Sequence, residues 1–251
     1  MQRNFMDEMI EKRKATTILI AAVIVSLAMG LGLARVGSGF ASRSSDGIVV
    51  TGSAKVDAVA DNVVWTLSIQ NTGKTPASAV SGIDSGINAL QKYLVDGGIK
   101  SEQLTLGAVS SYGTEEYING NPTGRILNYR ANREITVRTK DVQLVSKLSQ
   151  NIGTLLQAGI NVSNYGPQYY VSTLSKIRPE LLKEATKDAK SRAEAMTEAV
   201  GGKVGAITSV KAGPIQVTTP DSTMTSDMGM YDTSSIDKTV TATVTVTFKT
   251  S

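Results

Sequence analysis

The sequence predicts an α+β domain in which three helices pack on antiparallel sheets, preceded by one N-terminal transmembrane helix. Three observations carry this reading. Residues 15–34 are uncharged throughout. "NVVWTLSIQ" and "TVTATVTVTF" alternate apolar and polar residues with the period of a half-buried strand. Three longer segments repeat apolar residues at three- and four-residue spacing, the period of an amphipathic helix.

The leader comes first. Ala15 to Ala34 is a twenty-residue apolar run, and at ~1.5 Å per residue a helix of that length spans roughly 30 Å, one hydrocarbon core. Arg3, Lys12, Arg13 and Lys14 precede it, while Arg35 and Arg43 are the basic residues that follow closely. This asymmetry predicts residues 1–14 in the cytoplasm and residues 35–251 outside it, in a single-pass protein of the cytoplasmic membrane. A cleaved secretory signal is the alternative. Gly39 and Ala41 offer a small-x-small site for it, but that site lies well beyond the apolar run, which is itself longer than a signal core. A buried core helix of this length would show a polar face, and no paired arginines suggest a twin-arginine route. The Gly- and Ser-rich residues 35–45 read as a flexible tether, leaving residues 46–251 as the exported domain.

Within that domain, "GIVVTGSAKV" predicts a short strand ending at Gly52. In "NVVWTLSIQ", Val63, Trp65, Leu67 and Ile69 share one face. After Pro76 a helix places Val80, Ile83, Ile87, Leu90 and Leu94 inward and stops at Gly97-Gly98. "EQLTLGAVSSYGTEEY" reads as one long strand kinked at Gly107, and "NGNPTG" as the turn of a long hairpin. The returning strand carries Leu127, Tyr129, Ala131, Ile135 and Val137 on one face. Asp141 is the N-cap expected for a second helix with Leu144, Leu148, Ile152 and Leu155 inward.

"AGINVSNYGPQYYVSTL" is again strand-like. A third helix is expected to be entered through Pro179 in its first turn, with a stripe of Leu182, Ala185, Ala189, Ala193, Met196 and Val200, and to close at Gly201-Gly202. "KVGAITSVKAG", a loop of about twenty residues and "TVTATVTVTF" complete the chain, the two strands pairing antiparallel. Residues 60–140 and 160–250 then look like two similar sub-domains of strand, helix, strand and strand.

Composition excludes much chemistry. The chain has no histidine and no cysteine, which removes Ser-His-Asp and Cys-His catalysis, the usual zinc sites and any disulfide. Residues 46–251 hold 20 Lys and Arg against 19 Asp and Glu. The positive charge therefore sits in the leader, and no nucleic-acid face is expected.

The segments "IVVTGSAKVDAVADNVVWTLSI", "YRANREITVRTKDVQLVSKLSQNIGTLLQAGINVSN" and "RPELLKEATKDAKSRAEAMTEAVGGKVG" resemble the SIMPL-domain family of cell-envelope proteins. The leader followed by "GSGF" is similar to its membrane-anchored branch. The resemblance implies an exported α+β domain without catalytic residues or cofactor. It also implies ring- or channel-like oligomers in some members and links to envelope or oxidative stress in others. Ser175-Lys176 stands where the family often has an acidic residue or Asn before the long helix.

A non-enzymatic protein is expected, working by self-assembly as a homo-oligomer or by binding an unidentified envelope protein, and held at the membrane by its N-terminal helix. The alternative is a ligand- or metal-binding module in the loop 221–237. There Met224, Met228 and Met230 offer thioethers to Cu(I) among Asp221, Asp227, Asp232 and Asp237. Methionines on a mobile hairpin tip or an adaptable contact are the plainer reading. Glu115 and Glu116 with Asp57 and Asp61 could be imagined as paired carboxylates, but adjacent strand residues point to opposite faces and solvated surface is favoured. Tyr112, Tyr117, Tyr129, Tyr165, Tyr169 and Tyr170 are half-buried sheet residues or, in part, a self-association surface.

Overall fold

A computed structural model describes residues 25–31 and 47–250. The anchor expected over residues 15–34 and the tether over 35–45 lie outside the described residues, except that residues 25–31 are helical and exposed. No helix among the described residues is long and apolar enough to cross a membrane.

In chain order the domain runs β1 (Gly47–Val59), β2 (Asn62–Gly73), α1 (Pro76–Asp96), a 3₁₀ turn (Ser101–Gln103), β3 (Leu104–Leu106), β4 (Ser110–Ile118), β5 (Asn121–Thr139), α2 (Val142–Gln150), α3 (Gly153–Gln157), β6 (Val162–Tyr170), α4 (Leu174–Glu198), β7 (Val204–Ala212), β8 (Gln216–Thr218), β9 (Met230–Tyr231) and β10 (Asp237–Thr250). The α+β class holds. One parallel pair, β8 with β9, interrupts the otherwise antiparallel sheets.

Two sheets form, each with a long helix on one face. β2 lies between β5 and β6, and β5 also carries β3 and β4 on its far side. The face read from the sequence is the core: Val63, Trp65, Leu67 and Ile69 meet Ile83, Ile87, Leu90 and Leu94 of α1, with Ala131, Ile135 and Val137 of β5 beside them. Thr75 and Ser78 form a reciprocal capping box before α1. At its other end the amide of Ile99 returns to the Leu94 carbonyl through Gly98 at φ 105°; this is a Schellman exit, and it needs the glycine. Tyr93 ties α1 to α2 by donating its hydroxyl to the Leu148 carbonyl at 2.8 Å, and burial pushes that phenol's pKa up.

In the other sheet β10 pairs along one side with β1, from Gly47↔Lys249 to Val59↔Asp237, and along the other with β7 and β8. Val240, Ala242, Val244, Val246 and Phe248 are buried beneath α4 as the alternation requires, and the threonines face outward.

Several expectations need correction. β1 does not stop at Gly52 but continues to Val59. Gly52 is needed because α4 crosses it so closely that a Cβ would collide with the Ala185 carbonyl and the Ala189 amide. α4 starts at Leu174, so Pro179 lies inside the helix; its missing N–H frees a carbonyl on the exposed face, where water can take the bond. The stripe of α4 is Leu181, Ala185, Ala189, Ala193 and Thr197, a strict four-residue row flat on β1 and β10. Met196 and Val200 are therefore exposed and Leu182 is half-buried. Thr197 is tolerated inside because its hydroxyl donates to the Ala193 carbonyl at 2.9 Å.

The second helix breaks at Asn151, whose side chain caps the Lys147 carbonyl at 2.9 Å, so four helices replace three between residues 76 and 198. The expected long strand parts into β3 and β4 at residues 107–109. The two halves do share a plan, with different members. β2, α1, β4 and β5 correspond in order and pairing to β1, α4, β7 and β10. The first strand of the second half is thus the N-terminal one, while residues 162–170 belong to the other sheet.

Residues 231–238 join the halves. Tyr169 and Ala60 donate backbone N–H groups to the carbonyls of Thr233 and Ile236 at 2.8 and 2.9 Å. Val171 donates to the Tyr231 hydroxyl at 2.8 Å, and Asp232 donates its amide to the Val217 carbonyl at 2.8 Å.

Candidate interaction surfaces

One exposed apolar surface follows from unequal strand lengths. β5 has 19 residues, but its pairing with β2 ends at Gly73↔Tyr129. Beyond that point only β4 accompanies it, so residues 114–128 form a two-stranded arm without a third strand. The tip is the Asn119-Gly120 pair, at φ 50° and 83°, the left-handed conformations of a two-residue hairpin turn matched to strand twist.

The arm carries Tyr117 (63% exposed), Ile118 (58%), Ile126 (43%) and Leu127 (50%). Tyr117 and Ile118 pair regularly with Pro122 and Asn121 and so face opposite ways, which makes the arm apolar on both faces at its tip, while Ile126 and Leu127 flank a register shift. Leu127 continues the core face of Tyr129 and Ala131 past the body of the sheet, which is why the expected inward residue is exposed. Ile118 and Ile126 were not singled out by sequence. The available signal was the doublets Tyr117-Ile118 and Ile126-Leu127, which break the alternation a one-sided strand requires.

Polar groups stiffen the arm. Arg125 pairs with Glu116 at 3.2 Å, and Glu115 accepts from the Gly124 amide at 3.0 Å. Asp57 accepts from Thr239 at 3.1 Å on the other sheet. Asp61 accepts from the Ser172 amide and hydroxyl at 2.7 and 2.6 Å, and those bonds hold its carboxyl below the usual range. Of these four acids, weighed together in the sequence, Glu115 and Glu116 share β4 while Asp57 and Asp61 lie in β1 and the β1–β2 link, and each has its own local partner.

The tyrosines divide. Tyr112, Tyr117 and Tyr165 are exposed, Tyr129 and Tyr170 half-buried and Tyr169 buried. Tyr170 meets Tyr231 at 5.9 Å between ring centroids, at the joint between the sheets.

The loop 221–237 has two parts. Met224 and Met228 are exposed on coil, while Met230 is half-buried in β9. Asp232 belongs to the joint, accepting from Lys238, Ser234 and Ser235. Among the described residues no three His, Cys, Asp or Glu side chains gather as a metal site. An open cleft of about 640 Å³ lies at the end of β5, with Lys100, Arg138, Lys140 and Asp141 on its walls.

Two sheets, each backed by one long helix and joined through a central segment, with an apolar arm extending from one of them, define an α+β domain. Residues 48–248 match the family model described as "SIMPL: Protein of unknown function (DUF541)", and the chain belongs to that family. It is similar to the "Uncharacterized protein YggE" of Edwardsiella ictaluri, 26% identical over 170 residues, which are 65% of this chain and 66% of that one. The chain thus spans just under two thirds of that relative's length.

Among solved structures it is similar to a hydantoinase/carbamoylase family amidase from Burkholderia ambifaria (TM-score 0.24, 11% identity, 51% of this chain and 34% of that one). A putative aminohydrolase from methicillin-resistant Staphylococcus aureus is comparable (TM-score 0.22, 18% identity, 57% and 37%). Likeness at that level carries no argument about activity.

Proposed function

We propose that this is a non-enzymatic protein of the cell envelope, anchored in the cytoplasmic membrane by residues 15–34, whose exported domain self-associates through the β4–β5 arm. The observation that carries the reading is the arm itself. Residues 114–128 leave the body of the sheet without a third strand and expose Tyr117, Ile118, Ile126 and Leu127. Burying four such side chains against a partner is worth several kcal/mol, roughly 1.5–3 for each fully buried one. A membrane anchor raises the local concentration, so modest contacts suffice to assemble a ring or other oligomer. The inventory without His or Cys supports a role in binding over catalysis.

Light scattering of the full chain in detergent tests this. The native chain should run as an oligomer, and Ile118→Ser with Ile126→Ser should return it to a monomer without loss of helical signal. A native chain that stays monomeric at high concentration would sink the proposal.

A further inference from the structure

We infer that the end of the β1–β10 sheet where the chain enters the domain rests on the bilayer, with Val200 and Met196 among the lipid headgroups and Lys203 and Lys249 facing anionic phosphates. The inference rests on the proposal that residues 15–34 are an anchor.

Four elements meet at this end. β1 begins, β10 ends, β7 begins and α4 ends there, as the pairs Gly47↔Lys249, Phe248↔Ile207 and Thr250↔Val204 fix. Four of the apolar residues that these elements leave exposed lie at this end, Val200 at 83%, Val49 at 62%, Met196 at 56% and Ile207 at 51%, while Val56, Val59 and Val210 lie further along β1 and β7. Val200 and Met196 line, with Gly47, Ile48 and Thr250, an open cleft of about 590 Å³. Lys203 and Lys249 are exposed beside it, with Glu198 the acidic neighbour. None of the three joins an ion pair among the described residues. The Gly201-Gly202 exit holds Val200 outward: the Gly202 amide returns to the Thr197 carbonyl at 2.9 Å, and Gly201 sits at φ 79°.

The choice of occupant comes from the chain. Twelve residues separate Ala34 from Gly47, and twelve residues reach at most about 40 Å even when fully extended. An anchored chain therefore keeps this end of the domain within that distance of the bilayer. The arm lies at the other end of the path, since β1 leads away from Gly47 to the joint and β2 leads on from the joint to Gly73 at the arm's base. Apolar side chains flanked by lysines are the chemistry of shallow interfacial binding to anionic lipid.

The sequence has no cysteine, so single labels are unambiguous. The full chain would be reconstituted in phosphatidylglycerol-containing vesicles with a fluorophore on Val200→Cys, or on Lys92→Cys in α1 as the comparison. Headgroup-nitroxide lipid should quench the label at 200 several-fold more than the label at 92, and Lys203→Glu with Lys249→Glu should reduce the difference. Equal quenching at the two positions overturns the proposal, as does fluorophore self-quenching at 200 without lipid quenching, which assigns the patch to a second copy. Alkaline carbonate extraction separates the two readings. A chain retained in the membrane with an unquenched label loses this inference alone, whereas a chain released by carbonate loses the anchor and this inference together.

Discussion

Lys238 buries its whole side chain at the joint between the two sheets and donates from Nζ to Asp232 Oδ1 at 2.9 Å. Asp232 is 22% exposed and also accepts from both Ser234 and Ser235. Burial alone would raise its carboxyl, but the bonds from Lys238, Ser235 and Ser234 outweigh burial and hold its pKa far below the usual carboxylate range. The pair thus fixes the segment whose carbonyls at Thr233 and Ile236 receive the other sheet.

Lys238→Ala should therefore lower the unfolding free energy by about 3 kcal/mol, because it leaves Asp232 partly buried without its counter-charge. The folded pKa of Asp232 lies below the unfolded value of about 3.9, so its stabilisation is complete above that pH and fades as pH falls toward the folded value. Urea unfolding at pH ~7 and pH ~3 should show the native chain losing stability on acidification and Lys238→Ala losing less of it. Equal losses would remove the pair from its structural role.

Gly52→Ala should cost about 3 kcal/mol, at the upper end for overpacking, because the clash is with the backbone of α4 at Ala185 and Ala189, not with a side chain that can turn aside. Asp188 sits on the same contact. It accepts from the Ser53 amide at 2.8 Å, and that bond, with the Arg192 guanidinium, keeps its carboxyl below the usual range. Thermal unfolding checks the cost. A variant as stable as the native chain would mean that α4 does not lie so close to β1.

Asn164→Ala should destabilise by about 2 kcal/mol, since Trp65 Nε1 donates to Asn164 Oδ1 at 2.8 Å and would be left buried and unpaired. Trp65 is the chain's single tryptophan, so its fluorescence reports both unfolding and, in the folded variant, the altered setting of the indole. An unchanged emission spectrum and unchanged midpoint would contradict the bond.

The elements legible in the sequence are those whose local pattern and tertiary setting agree. β2 and β10 alternate because each presents one face to a helix, and α1 carries its apolar spacing after Pro76 and its glycine exit in the sequence, while its capping box emerged only in the structure. Gly52 misled because a glycine that admits a crossing helix looks, locally, like one that ends a strand. Pro179 misled for a related reason: proline favours a first turn, yet an exposed interior site tolerates it when water can take the freed carbonyl. The grouping of β1 with the C-terminal half was not readable at all, because pairing between residues 47–59 and 237–249 is non-local and leaves no periodic mark. The tyrosines pointed toward the arm, but its reach depends on β2 being shorter than β5.

The central claim is that the arm joins copies of this chain in the membrane. Its most direct test is oxidative crosslinking of Tyr117→Cys in native membranes, with Lys92→Cys as the comparison, in a sequence that has no cysteine of its own. Disulfide-linked dimers at position 117 and monomers at position 92 are the outcome predicted. Monomers at both positions, with the cysteine at 117 still open to a thiol reagent, would contradict the account.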